Sequence, residues 1–105
     1  MTVGYRTVVN VEGDVDIATV RSLGEVLDGH VAAGVWELWV DLSLVTFMDS
    51  HGLGALLRTQ SALEEQERRL TVICPAGPVR RILDVSGADA ILDVFPDRTS
   101  AQRAH

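Results

Sequence analysis

The chain is expected to fold as an α/β protein built on a mostly parallel sheet, and three observations predict this. Segments rich in β-branched residues alternate with segments whose apolar residues recur every three or four positions. The stretch VWELWVDL is almost wholly apolar around Leu38, Trp39 and Val40, as a strand covered on both faces requires. Gly, Asp and Pro mark the junctions between the segments. The resulting order is strand, helix, strand, helix, strand, helix, strand, with a possible last helix, and it implies right-handed crossovers between parallel strands.

Taken in order, Thr7 to Val11 alternate partially and read as a strand ending near Gly13. Ile17, Val20, Leu23, Leu27 and Val31 then fall on one helical face, with Asp16 as the N-cap and Gly29 or Gly34 as the stop. VWELWVDL is the second strand, and its two tryptophans, Trp36 and Trp39, point to opposite sides, one to the core and one outward. Leu53, Leu56, Leu57 and Leu63 form the stripe of a second helix. Its polar face is expected to run through EEQERR with pairs Glu64–Arg68 and Glu65–Arg69. LTVIC is a third strand. Pro78 opens a third helix through Val79, Ile82, Leu83 and Val85, and Gly87 closes it. AILDVF is a fourth strand stopped by Pro96, and Asp97 or Thr99 caps a short final helix.

Composition bounds the function. The chain has 105 residues, 47% apolar and 23% charged, with net charge −6. No linker or repeat divides it, so residues 1–105 are expected to form one domain. The negative charge argues against nucleic acid and against anionic membrane surfaces. No apolar run approaches the roughly 20 residues of a membrane span. The start, MTVGYRTVV, lacks the basic-then-apolar order of a signal peptide, and the single Cys74 forms no internal disulfide. A cytoplasmic setting is therefore expected. Cys74 lies in an apolar run and reads as an inert buried thiol.

The chemistry-bearing stretch is VTFMDSHGLGALL, Val45 to Leu57, at a strand-to-helix junction. Asp49, Ser50 and His51 invite a hydrolase reading, but adjacent residues do not face one another and the nucleophile elbow G-x-S-x-G is absent. A metal site is not expected, because Asp49 and His51 offer at most two ligands. Gly52 and Gly54 lack the lysine of a phosphate-binding loop, and no cofactor is expected. What remains is an N-cap by Asp49 or Ser50, two early glycines that suit a contact surface, and a serine whose phosphorylation a helix start tolerates.

At this point DLSLVTFMDSHGLGALL (Asp41 to Leu57) resembles the signature of the STAS domain as found in anti-sigma factor antagonists. VEGDVD (Val11 to Asp16) resembles that family's acidic turn, and PAGPVRRILDVSGADAILDVF its third conserved stretch. The resemblance implies a single STAS domain with a mixed, mostly parallel sheet of four to five strands flanked by helices. It implies a regulatory protein and not an enzyme. The unphosphorylated antagonist binds an anti-sigma factor that is a serine kinase of the GHKL type, the sigma factor is released, and phosphorylation ends the interaction until a phosphatase resets it. Carried over by position, the phosphoacceptor is Ser50, and the partner-binding set is Asp14, Asp16, Asp49, Ser50, His51, Gly52, Leu53 and Gly54.

The alternative is a STAS subunit of another assembly, a lipid-transport complex or a signalling scaffold, in which Ser50 only caps. A plain turn-and-cap role for Asp14 and Asp16 stands beside the contact role. The chain also departs from the pattern. His51 replaces the usual Ser or Thr, which removes a second hydroxyl acceptor and bears on which kinase fits, and Ala88 replaces a Leu. Only Met1 to Tyr5 remain for an additional first strand.

Overall fold

The computed structural model describes residues 6–104. A further strand at Met1 to Tyr5 therefore lies outside the described residues, as does His105. The elements are β1 (Arg6–Val15), α1 (Val20–Ala32), β2 (Glu37–Met48), α2 (Ser50–Glu65), β3 (Arg69–Ile73), α3 (Pro78–Val85), a single 3₁₀ turn (Ala88–Ala90), β4 (Asp93–Phe95) and α4 (Arg98–Ala104). The strands form one sheet in the order β1-β2-β3-β4, and the three ladders among the described residues are parallel. No described helix is long and apolar enough to cross a membrane.

The two faces of the sheet are covered differently. Leu38, Val40 and Leu42 of β2 join Leu23 and Leu27 of α1, Leu56 and Leu63 of α2, and Val79 and Leu83 of α3 in one large core. Successive strand residues point to opposite faces. Trp39 therefore packs on the other side, with Ile73 and Ala101 of α4 and with Val8 and Phe95 at its margin. Trp36, just before β2, is exposed, which fits the expected split of the two tryptophans. Asp41 lies on the Trp39 face. It accepts hydrogen bonds from Arg98 Nε at 2.9 Å and from the Ser43 N–H at 2.9 Å. Arg98 Nη2 also donates to Asn10 Oδ1 at 2.7 Å, so α4 is tied to two strands. Burial pushes the Asp41 carboxyl upward, but the bonds from Ser43 and Arg98 together hold it below the usual carboxylate value.

Several elements start or stop elsewhere than the spacing predicts. Asp16 does not cap α1. Its carboxylate closes a turn on the N–H groups of Ala18 and Thr19, and the helix begins only at Val20. Ile17 is thus outside the helical face and 70% exposed. Gly34, at φ +79, stands beyond the end of α1, whereas Gly29 is inside the helix. β1 runs through Gly13, which takes φ +78 at a register irregularity, and ends at Val15.

α2 ends at Glu65, and Glu67 turns to φ +57, so Arg68 and Arg69 lie beyond the helix and the i, i+4 geometry expected for them does not apply. Val85 is exposed because it stands about 200° around α3 from the buried Leu83. The fourth strand is shorter than AILDVF. Ala90 belongs to the 3₁₀ turn, Ile91 is exposed, and only Asp93–Phe95 pair with Thr71–Ile73 of β3. Pro78 opens α3 as expected, and Asp97 caps α4 through the Ser100 N–H at 2.7 Å.

A carboxyl whose folded-state pKa is lowered stabilises the fold above its unfolded pKa, and that contribution is lost as acid titrates it. Arg98→Ala should therefore lower the unfolding free energy by about 1–2 kcal/mol at neutral pH, a value discounted because the guanidinium is half exposed. The gap to wild type should narrow below about pH 4, leaving the part that comes from the Asn10 bond, which acid does not titrate. Urea unfolding at pH 7 and at pH 3 measures both; a gap that widens in acid contradicts the assignment.

Candidate functional site

The site lies where β1 and β2 end and α2 begins, the position at which sites on parallel sheets gather. β2 outruns β3: Asp41 pairs with Ile73, and from Leu44 to Met48 the strand pairs with β1, reaching Val15↔Met48. The Asp49 N–H then donates to the Val15 carbonyl at 3.1 Å, which ties the junction to the end of β1. α2 starts at the next residue.

Asp49 is the N-cap. Its Oδ1 accepts from the N–H groups of His51 at 2.9 Å and Gly52 at 3.4 Å, and its Oδ2 lies 3.4 Å from His51 Nδ1. Partial desolvation pushes this carboxyl up, but the N–H groups of His51 and Gly52 and the His51 ring outweigh it and hold the pKa below the ordinary value. With Asp49 in the capping role, Ser50 is left as the first helical residue. It is exposed, and its hydroxyl has no hydrogen-bond partner among the described residues.

The other expected residues divide. Asp14 is exposed beside this junction, its Oδ1 accepting from the Thr46 hydroxyl at 2.7 Å. Asp16 follows, its carboxylate turned into its own loop. The turn role of Asp16 and the capping role of Asp49 are thus present in the geometry. Leu53 and Gly54 are half-exposed. Gly52 is buried, and it explains itself: a Cβ there would lie 2.7 Å from Val15 Cγ1 and 2.9 Å from Met48 Cγ. The close approach expected of this glycine is with the protein's own core. Gly54 differs, since a Cβ there would meet only Arg58 Nη1, at 3.2 Å.

Three residues of the rim escape the sequence reading. Thr19 laces the loop, its hydroxyl donating to the Asp14 carbonyl at 2.7 Å and accepting from the Asp16 N–H at 3.0 Å. Ile17, next to Asp16 in the chain, and Phe47, two residues before Asp49, are exposed apolar side chains. Phe47 pairs in register with Asp14, but the strand irregularities upset the alternation that would have marked it as outward. Among the described residues, no three His, Cys, Asp or Glu side chains stand close enough to share a metal ion. Among the described residues the geometry holds no nucleophile–base pair, and its distinctive feature is an exposed, unbonded hydroxyl at a helix start that Asp49 caps.

Residues 2–93 match the family model described as "Mlab, STAS domain". The chain is 31% identical over 86 residues to an anti-sigma-B factor antagonist of Staphylococcus aureus, covering 82% of this chain and 80% of that protein. Its structure is similar to the crystal structure of an anti-sigma factor antagonist from Mycobacterium paratuberculosis, with TM-score 0.90, 29% identity, and coverage of 99% of this chain and 88% of the other. It also shares its fold with the Bacillus cell fate determinant SpoIIAA in the phosphorylated form, with TM-score 0.72, 20% identity, and coverage of 100% and 96%.

The two glycines should respond oppositely to alanine. Alanine favours a helix by about 1 kcal/mol over glycine. At position 52 overpacking against Val15 and Met48 costs about 1–3 kcal/mol, so Gly52→Ala should destabilise. At position 54 only a flexible guanidinium must move, so Gly54→Ala should stabilise by up to about 1 kcal/mol. Urea unfolding of both variants checks this; equal effects contradict it.

Proposed function

Because the chain belongs to the STAS domain family, we propose that it acts as a cytoplasmic anti-sigma factor antagonist switched by phosphorylation of Ser50. Unphosphorylated, it binds an anti-sigma factor that is a serine kinase of the GHKL type, and the sigma factor is released. The observation that carries this reading is the free, exposed Ser50 hydroxyl at the first residue of α2, left available because Asp49 takes the cap. The names of the similar antagonists support it.

The chemistry belongs to the kinase, which holds ATP and Mg²⁺. The Ser50 oxygen attacks the γ-phosphorus, the new O–P bond forms as the bond to ADP breaks, and the hydroxyl proton passes to a base on the kinase. The product adds about −1.5 to −2 charges to a rim that already carries Asp14, Asp16 and Asp49. A helix N-terminus accommodates an anion, so the fold persists while the surface changes. The partner reads that surface from Asp14, Asp16, Asp49, Ser50, His51, Leu53 and Gly54, with Gly52 supporting it from beneath and Ile17 and Phe47 adding apolar area. Repulsion and desolvation of the new charge then end the contact, and a phosphatase restores it.

The second arrangement is a STAS subunit of another assembly, a lipid-transport complex or a signalling scaffold, in which Ser50 stays unmodified. Incubation with ATP and a GHKL-type kinase sought among the genes beside the protein's own separates the two. Intact mass should rise by one phosphoryl group in wild type and not in Ser50→Ala. An unmodified wild type, or a modified Ser50→Ala, overturns the assignment. Ser50→Asp should fold with unchanged circular dichroism yet bind that kinase at least tenfold more weakly, about 1.4 kcal/mol. Equal affinities in calorimetric titrations would refute the charge switch.

A further inference from the structure

Ser50, Gly54 and Arg58 stand four residues apart on α2 and share one stripe of its surface. Each is about 6 Å from the next along the helix axis. Arg58 is exposed, and among the described residues its guanidinium meets no carboxylate and no hydrogen-bond acceptor. Neither Gly54 and Ala55 before it nor Ser61 and Ala62 after it offers a carboxylate at helical spacing.

Side chains on a helix lean toward its N-terminus, and Arg58 Nη1 lies 3.2 Å from the point where a Cβ on Gly54 would sit. The guanidinium therefore rests over bare backbone, one turn back toward Ser50. Gly54 has no other neighbour that a Cβ would meet, so core packing does not demand a glycine there.

We propose that Arg58 receives the phosphoryl group of Ser50: once modified, the phosphoserine and the guanidinium meet above Gly54 as a charge-assisted pair. This rests on Ser50 phosphorylation as proposed above and deepens it. The pairing suits both groups, because a planar guanidinium presents two parallel N–H donors to phosphate oxygens. Three competing donors at the helix start are already engaged, since the Asp49 carboxylate takes the N–H groups of His51 and Gly52 and its carbonyl takes that of Leu53. The His51 ring faces Asp49 as well, with Nδ1 3.4 Å from Oδ2. Asp14, Asp16 and Asp49 repel the new anion from the rim and favour its turn along α2 toward Arg58. Phosphorylation thereby does two things to a partner: it adds an anion at the helix tip and withdraws a cation from the exposed face of α2.

The test uses the full chain with phosphoserine installed at position 50 during translation, so it needs no kinase. The second ionisation of the phosphate is followed by ³¹P NMR in wild-type, Arg58→Ala and Gly54→Ala backgrounds. The wild-type midpoint should lie about half a pH unit or more below that of Arg58→Ala, because a nearby cation favours the dianion. Gly54→Ala should fall between them, its methyl group displacing the guanidinium. The Arg58 Nε–H resonance should also shift on phosphorylation. Coincident midpoints in wild type and Arg58→Ala, or an unmoved Arg58 resonance, overturn the proposal. Either result leaves the kinase experiment on Ser50 unaffected, so the two readings fail separately.

Discussion

The first turn of α2 sits so close to the ends of β1 and β2 that position 52 has no room for a methyl group. Val15 and Met48, which fill that space, are both buried in the main core. Their packing sets how near the helix start approaches the sheet, and the Asp49 N–H bond to the Val15 carbonyl sets its register. With the backbone held from below, Asp49 turns to the helix N–H groups and Ser50 turns to solvent. Exposure of this serine is thus a consequence of core packing two residues away. A looser junction would let the serine hydroxyl compete for the same N–H groups, because serine and aspartate are comparable caps.

The rest of the architecture keeps that end of the sheet open. α1, α2 and α3 contribute to the large core on one face. The opposite face carries Trp39 and Ile73 under Ala101 of α4, and the Asp41–Arg98–Asn10 bonds lock α4 in place. Both faces are therefore covered while the C-terminal ends of β1 and β2 remain uncovered. The aspartates there have internal work, with Thr46, with the Asp16 turn and with the cap, so their carboxylates are held in place. Orientation of this kind lowers the entropy that a partner must remove on binding.

How far the site was legible depends on the range of the forces involved. The strand-to-helix junction and the presence of a cap at Asp49 or Ser50 follow from neighbours within three residues, and the stretch itself shows them; which of the two caps and which faces solvent depends on the packing beneath. The burial of Gly52 was not legible, because it depends on Val15, which is 37 positions away in the chain. Phe47 and Ile17 were misplaced or missed for related reasons. A register irregularity between two strands decides which way Phe47 points, and a turn laced by Thr19 delays the start of α1 past Ile17. The expected Glu–Arg pairs after Glu65 failed for the same kind of reason: the chain left the helix earlier than its polar pattern suggested.

By itself, the sequence determined the alternation of strands and helices, the apolar stripes at Leu23 and Leu27 and at Leu56 and Leu63, the start of α3 at Pro78 and its stop at Gly87, and the family. These depend on local backbone preference and on the period of hydrophobic burial, which any short window of the chain contains. Only the tertiary structure decided that Asp49 and not Ser50 caps α2, that Gly52 serves the interior while Gly54 lies open beneath Arg58, that Asp41 meets Arg98 across 57 positions, and that Ile17 and Phe47 stay exposed. Those outcomes depend on contacts between segments distant in the chain, whose geometry is set when the sheet and helices close on a common core.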